Sequence, residues 1–238
     1  MDRAMPDPTH VRAMFARIAG RYDLLNRVLS LGIDRRWRRR LIEAAGDVRG
    51  RSAVDACCGT GDVTLALASA GAVAVGVDFT REMLDRARAK SRDASSQNVA
   101  FAHGDALQLP VKSGAADVCT VAFGIRNVSD RARALREMAR VVRPGGRVLV
   151  LEFTLPPGRV LGALYRSYFT RLLPFVGRIV SRDADAYSYL PRTVLAWPSP
   201  VELQREMEAL GLVDCSHRLL TRGIACLHCA HVPRGDSK

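Results

Sequence analysis

Three stretches of this 238-residue chain combine glycines and acids in a pattern that could do chemistry. The first is Asp55-Ala-Cys-Cys-Gly59-Thr60-Gly61-Asp62, an apolar run that ends in a glycine turn and opens a helical pattern. In a parallel α/β sheet such a turn lies at the carboxyl ends of the strands, where ligands bind. A nicotinamide fingerprint wants Gly or Ala three residues past the second glycine, and Thr64 stands there, which argues against a pyrophosphate packed on this helix start. The second stretch, Gly76-Val77-Asp78, ends a strand in an acid that could accept both hydrogen bonds of a ribose diol. The third, Gly104-Asp105-Ala106, places a carboxylate where an adenine amino group could meet it. Each acid alone is also an ordinary helix cap. Together they describe a pocket for S-adenosyl-L-methionine, with Gly59 and Gly61 giving room to the methionine moiety, Asp78 on the ribose and Asp105 near the adenine.

The elements needed to hold these groups are visible as alternating patterns. From Ser52 onward, short β-branched apolar runs alternate with charged helical segments, the signature of an α/β sheet flanked by helices. Strands are expected over 52–57, 72–78, 99–104, 116–123, 147–153, 213–220 and 223–232. Helices are expected over 62–70, 80–91, 130–141 and 199–210, the third stopped by Arg143-Pro144-Gly145-Gly146. The fold class is therefore α/β, Rossmann-like, with a mostly parallel sheet. Residues 1–50, helical and basic over 9–45, are expected to form an N-terminal cap. Residues 51–238 form the main domain, with an apolar lid inserted at about 158–198.

Composition narrows the function classes. Apolar residues make up 48% of the chain and charged residues 25%, so a folded globular core is expected rather than disorder. The formal charge is +12, carried almost wholly by arginine, which suits a polyanionic surface or a genome rich in Arg codons. The N-terminus lacks the apolar core of a secretory signal, and the longest apolar stretch, 160–180, is interrupted by Arg166, Arg171 and Arg178, so no segment is expected to span a membrane. Six cysteines sit mostly in apolar runs, as in a reducing compartment. Cys226-Leu-His228-Cys229-Ala-His231 resembles a zinc cluster, but on a strand Cys226 and Cys229 point to opposite faces, so no metal site is expected. Cys58 is not expected to be catalytic, since no neighbouring cation would favour its thiolate.

Beyond the glycine turn, longer blocks resemble one family. They are Val11 to Asn26 with Tyr22-Asp23 inside, Ser30 to Arg38 with Trp37, Ala122-Phe123-Gly124-Ile125-Arg126-Asn127-Val128, Leu135 to Gly146, Leu151-Glu152-Phe153 and Leu195-Ala196-Trp197-Pro198-Ser199. The chain is similar, from about residue 10 to residue 231, to the ubiquinone/menaquinone biosynthesis C-methyltransferases, which methylate a ring carbon of a polyprenyl quinol. The resemblance implies a class I S-adenosylmethionine-dependent methyltransferase with a seven-stranded sheet, and cofactor contacts at Thr60, Asp78, Asp105 and Ala106. Some members carry a serine that contacts the cofactor where this chain has Ala122.

The chemistry of that reaction assigns further roles. A ring carbon becomes nucleophilic when a hydroxyl of the quinol is deprotonated, and a phenol has a pKa of about 10. Arg126 could favour the phenolate as a fixed cation, and Asn127 could hold a ring oxygen. Tyr22 and Asp23 could orient a water or accept the proton. The isoprenoid tail implies approach to a membrane surface, for which 160–180 offers an amphipathic segment. The expected location is the bacterial cytoplasm, peripheral at the inner face of its membrane. A homodimer is compatible with the sequence, and nucleic acid is not an expected partner. The motifs do not decide between a naphthoquinol substrate, which is the main reading, and a benzoquinol. The rivals are an RNA methyltransferase, for which the amine-methylating and pyrimidine-methylating motifs are missing, and a non-catalytic cofactor-binding scaffold, against which the retained acids and Arg126-Asn127 speak.

Overall fold

The structure is a computed structural model that describes residues 7–23, 30, 32–94, 96–158, 189 and 192–235. The segment expected to form the amphipathic lid, 160–180, lies outside the described residues, as does Asn26 of the first family block.

In chain order the described elements begin with two helices, α1 (Pro8–Ile18) and α2 (Asp34–Ala45). Strand β1 (Ser52–Ala56) leads to helix α3 (Asp62–Ser69), and β2 (Val73–Asp78) to α4 (Arg81–Asp93). Then come β3 (Val99–His103), β4 (Ala116–Ala122), α5 (Arg131–Val141) and β5 (Val142–Phe153). The chain closes with α6 (Pro200–Ala209), β6 (Val213–Leu220) and β7 (Ala225–His231). The seven strands form one sheet in the order β3-β2-β1-β4-β5-β7-β6. Strands β1 to β5 run parallel, and β7 is antiparallel to both of its neighbours. The α/β, mostly parallel, seven-stranded sheet that was expected is present, and the structure adds its strand order.

Two hydrophobic cores, one per sheet face, follow from the period-2 alternation of the strands. Val54, Cys119, Val121, Val148 and Val150 face Leu135 and Met138 of α5 and Leu203 and Met207 of α6. Ala53, Val118, Leu149, Leu151 and Leu227 face Trp37 and Leu41 of α2 and Val63 and Leu67 of α3. Local signals set the helix starts. Asp130 accepts from the Arg133 N–H, and Ser199 and Glu202 form a reciprocal capping box in front of Pro200.

One strand differs from its expected bounds. The Pro144-Gly145-Gly146 stretch ends α5, as its residues require, yet β5 begins at Val142 rather than 147. Val142 pairs with Ala116 across an irregularity in the β4–β5 ladder, and Gly145 donates to the Val232 carbonyl while Val232 donates to that of Gly146. The glycines therefore continue the sheet, because their missing side chains let strands on both sides approach. A β-carbon on Gly146 would lie 2.6 Å from the Asp117 carbonyl oxygen.

Candidate active site

The carboxyl ends of β1, β2 and β4 open into a cleft of about 1020 Å³, counting its open mouth, bordered by α1 and the residues after it. Phe15, Tyr22, Gly59, Thr60, Asp78, Asp105, Ala106, Phe123 and Asn127 are among its walls.

The glycine turn is shaped by backbone that few residues tolerate. Cys57, Gly59 and Gly61 have φ of 52°, 54° and 83°, and Phe123, at the corresponding bend after β4, has 58°. A β-carbon on Gly59 would meet only Tyr22 Cε1, at 3.9 Å, so the cleft is open beside it. Gly61 is different. It starts α3, and a β-carbon there would press within 3.0 Å of Phe101 and Ala87. Gly61 therefore serves close packing behind the turn, while Gly59 lines the cleft.

Asp78 is buried, and both of its oxygens receive backbone hydrogens, from Gly59 at 2.9 Å and Thr80 at 2.8 Å. It thus fixes the glycine turn against the tip of β2, and each oxygen keeps a lone pair for a ligand hydroxyl. Burial pushes its carboxyl up from the ordinary value, opposed by those two N–H groups. Asp105 accepts from the Leu107 N–H at 2.9 Å, closing the turn that presents Ala106 to the cleft. On β1, at the floor of the cleft, Asp55 is buried and accepts from the Thr64 and Thr120 hydroxyls at 2.7 and 2.9 Å, and its burial raises the carboxyl to about 6.

Tyr22 and Asp23 part company in the structure. Tyr22 lines the cleft, its ring edge-on to Phe15. Asp23 accepts from the Thr60 hydroxyl at 2.6 Å and pairs with Lys90 at 2.6 Å. Lys90 also reaches Asp62 at 2.7 Å, Asp62 pairs with Arg38 at 3.0 Å, and Arg38 pairs with Asp34 at 2.6 Å. A chain of alternating charges thereby fastens α2 and the residues after α1 to the glycine turn and α4. Nothing in the local pattern of Lys90 shows that Asp23 and Asp62 will meet it, nor in that of Arg38 that it will reach Asp62 as well as its helix neighbour Asp34.

Arg126 is neither a lone cation nor a cleft wall: its neighbours Gly124 and Asn127 line the cleft, while its own side chain is buried behind them. Its Nη1 donates to the Phe123 carbonyl and to Glu152 Oε1, both at 2.6 Å, and its guanidinium stacks 5.4 Å above the Phe153 ring. Glu152, at the end of β5, is fully buried, and its Oε1 also accepts the Phe153 N–H. Burial pushes the Glu152 carboxyl up while Arg126 pulls it down. An acid closing the otherwise apolar run Val148-Leu-Val-Leu151 was the available signal for this residue. The cysteines at the turn, Cys57 and Cys58, are pushed well above the ordinary thiol value by burial and then by Asp78, so both are neutral. On β7, Cys226 and Cys229 do fall on opposite sides of the strand, and the His228 Nε2 lies 2.9 Å from the Pro200 carbonyl.

Comparison with known proteins gives one consistent result. The sequence model of the ubiE/COQ5 methyltransferase family matches residues 4–232. A demethylmenaquinone methyltransferase of Thermus thermophilus is 46% identical over 222 residues, covering 92% of this chain and 100% of that protein. One from Deinococcus radiodurans is 46% identical over 217 residues, covering 90% and 89%. Among solved structures, an S-adenosylmethionine-dependent methyltransferase from Thermotoga maritima superimposes with a TM-score of 0.67 at 18% identity, covering 93% of this chain and 99% of that one. Phosphoethanolamine N-methyltransferase 2 of Haemonchus contortus, solved with S-adenosyl-L-methionine, gives 0.64 at 14% identity, with 83% of this chain covering 52% of that one.

Proposed function

We propose, since the chain belongs to the ubiE/COQ5 methyltransferase family, that it moves a methyl group from S-adenosyl-L-methionine to a ring carbon of a polyprenyl quinol, with demethylmenaquinol as substrate and menaquinol as product. The observation that carries this reading is the meeting, at one end of the sheet, of the glycine-turn cleft with the turn bearing Arg126 and Asn127. The names of the relatives from Thermus and Deinococcus support the naphthoquinol over the benzoquinol.

The residues present fit the methyl donor. Gly59 leaves open the space a side chain would fill, Thr60 and Asp78 border it, and Asp105 and Ala106 form its far wall. When bound, the donor supplies an electrophilic methyl on a positively charged sulfur. Tyr22, Phe15 and Phe123 supply apolar walls that exclude water and hold an aromatic ring. Asn127 offers its side chain to a ring oxygen, and Arg126 stabilises the negative charge that develops there. The isoprenoid tail would remain in a bilayer, so the enzyme works as a peripheral protein at an anionic membrane surface. Among the described residues no helix is long and apolar enough to cross a membrane.

The test is methylation of short-chain demethylmenaquinol, kept reduced, against the corresponding benzoquinol, with products read by mass spectrometry. Methylation of the naphthoquinol ring is expected, and turnover of the benzoquinol alone would overturn the substrate assignment. Asp78→Ala should weaken donor binding in calorimetry by about 1.5–3 kcal/mol, the loss of a hydrogen-bonding charged group. Unchanged affinity would remove Asp78 from the donor site.

A further inference from the structure

Four buried side-chain atoms around the Arg126–Glu152 pair have no partner among the described residues: Arg126 Nε, Asn127 Oδ1, Glu152 Oε2 and the Tyr189 hydroxyl, of which Asn127 belongs to a cleft wall and the other three lie behind it. Buried polar groups are rarely left unpaired, since a lost partner is costly in a dry interior. Arg126 and Glu152 are one ion pair, and Asn127 follows Arg126 and lines the cleft. Tyr189 packs with Val11, Met14, Phe15 and Phe79, the last two being cleft walls, and its phenol feels the charges of Arg126 and Glu152. Two of the four atoms are donors or can donate, and two are acceptors. Donors alone would suit an anion and acceptors alone a cation, whereas the mixture suits a hydroxyl group on a ring.

We infer that Glu152 is a further catalytic residue, whose free Oε2 takes the proton from the quinol hydroxyl as the ring carbon attacks the methyl group. The inference rests on the function proposed above. Of the two acceptors only the carboxylate can hold a proton covalently. As the O–H bond breaks, the electron pair moves through the ring to the carbon, which bonds the methyl. The carbon–sulfur bond of the donor breaks, and the sulfur leaves as a neutral thioether. The hydrogen on the methylated carbon then departs to water, and Glu152 returns its proton to the ring oxygen. One proton is released in all, matching the loss of the sulfonium charge.

The ion pair gives this transfer a second effect. While Glu152 is ionised it neutralises Arg126, and once protonated it leaves the guanidinium charge free for the ring oxygen. Arg126 therefore becomes strongest at the moment the phenolate forms. The other titratable groups facing Glu152 are Cys57 at the end of β1, Cys226 opposite it on β7, and Tyr189. Burial raises all three, Cys226 to about 12, so none carries charge at neutral pH. Burial raises the Glu152 carboxyl from its ordinary value, against the pull of Arg126.

The experiment uses the full chain and Glu152→Gln, which keeps an acceptor for Arg126. Single-turnover methylation of demethylmenaquinol should fall by roughly 10²–10⁴-fold, with calorimetric affinity for S-adenosyl-L-methionine unchanged. The wild-type rate should drop at low pH with a slope of one proton, and that limb should be missing from the Gln variant. Infrared titration of the protein alone should show a carboxylic acid band, absent from Glu152→Gln, that titrates at the same pH as the limb. Glu152→Asp should recover part of the rate with a shifted limb, and serves alone if the Gln variant does not fold. A rate within a few-fold of wild type, or a limb that persists unshifted in the variants, would overturn the role of Glu152. Failure of the wild type to methylate the quinol would instead overturn the function on which the inference rests.

Discussion

Two buried groups, Asp55 and His228, push the stability of this protein in opposite directions as pH falls. Asp55 lies at the floor of the cleft with a carboxyl raised to about 6 from 3.8, so between about pH 4 and 6 the folded state holds a proton that the unfolded chain has released. Stability therefore grows as pH falls through that window, by about 3 kcal/mol from this group at the conversion of 1.36 kcal/mol per unit. His228 acts in the opposite sense. Its imidazole is lowered from 6.5 to about 4 by burial, so stability is lost as pH falls and the unfolded chain takes up the proton first. Urea denaturation across this range should show Asp55→Asn more acid-sensitive than wild type and His228→Gln less so. Identical slopes in all three would show that neither group titrates as its burial requires. These residues also mark the limit of what the sequence tells. The places of Asp78 and Asp105 on the cleft wall were legible because each follows a glycine at or just past a strand end, whereas Lys90 and Tyr189 meet partners that only the folded chain brings near.

At the scale of elements, the strands and most helices were legible, since β-branched alternation and capping residues are local. The docking of the N-terminal helices was not. Residues 9–45 read as helical and basic, and the described residues there are largely so, with α1, a 3₁₀ turn over Ala19–Arg21, helical Tyr22 and Asp23, and α2; what the sequence does not announce is the Asp34–Arg38–Asp62–Lys90–Asp23 chain that joins them to the sheet domain. The Lys90 and Asp23 side chains are 29% and 36% exposed, so solvent weakens each pair and the latch can open. Lys90→Met should speed amide hydrogen exchange in residues 8–23 by roughly three- to tenfold, with the central strands unchanged. Added salt should move the wild type in the same direction. No change in exchange would mean that packing alone, through Val11 and Met14, holds the cap.

At the scale of the whole molecule, the +12 charge is consistent with the anionic surface invoked above, and α2 turns Arg35, Arg36 and Arg39 outward while Trp37, Leu41 and Ala45 face the core. The protein should sediment with vesicles containing anionic lipid at low salt and be released as salt rises. Tight, salt-sensitive RNA binding without vesicle binding would reverse that reading. The order of the sheet was expected only as a class, because β7 enters between β5 and β6 through pairings such as Arg147 with His231 that no local pattern announces. One buried contact of the cap carries a practical consequence. Trp37 donates to the Thr221 hydroxyl at 2.7 Å and packs on both Phe123 and Phe153, the residues flanking the Arg126–Glu152 pair. It is one of only two tryptophans in the chain, and the other, Trp197, lies under Arg131 beside α6. The emission colour and quenching of a Trp197→Phe protein would thus report one indole alone, an optical gauge built into the seam where α2, the sheet and the Arg126–Glu152 pair meet.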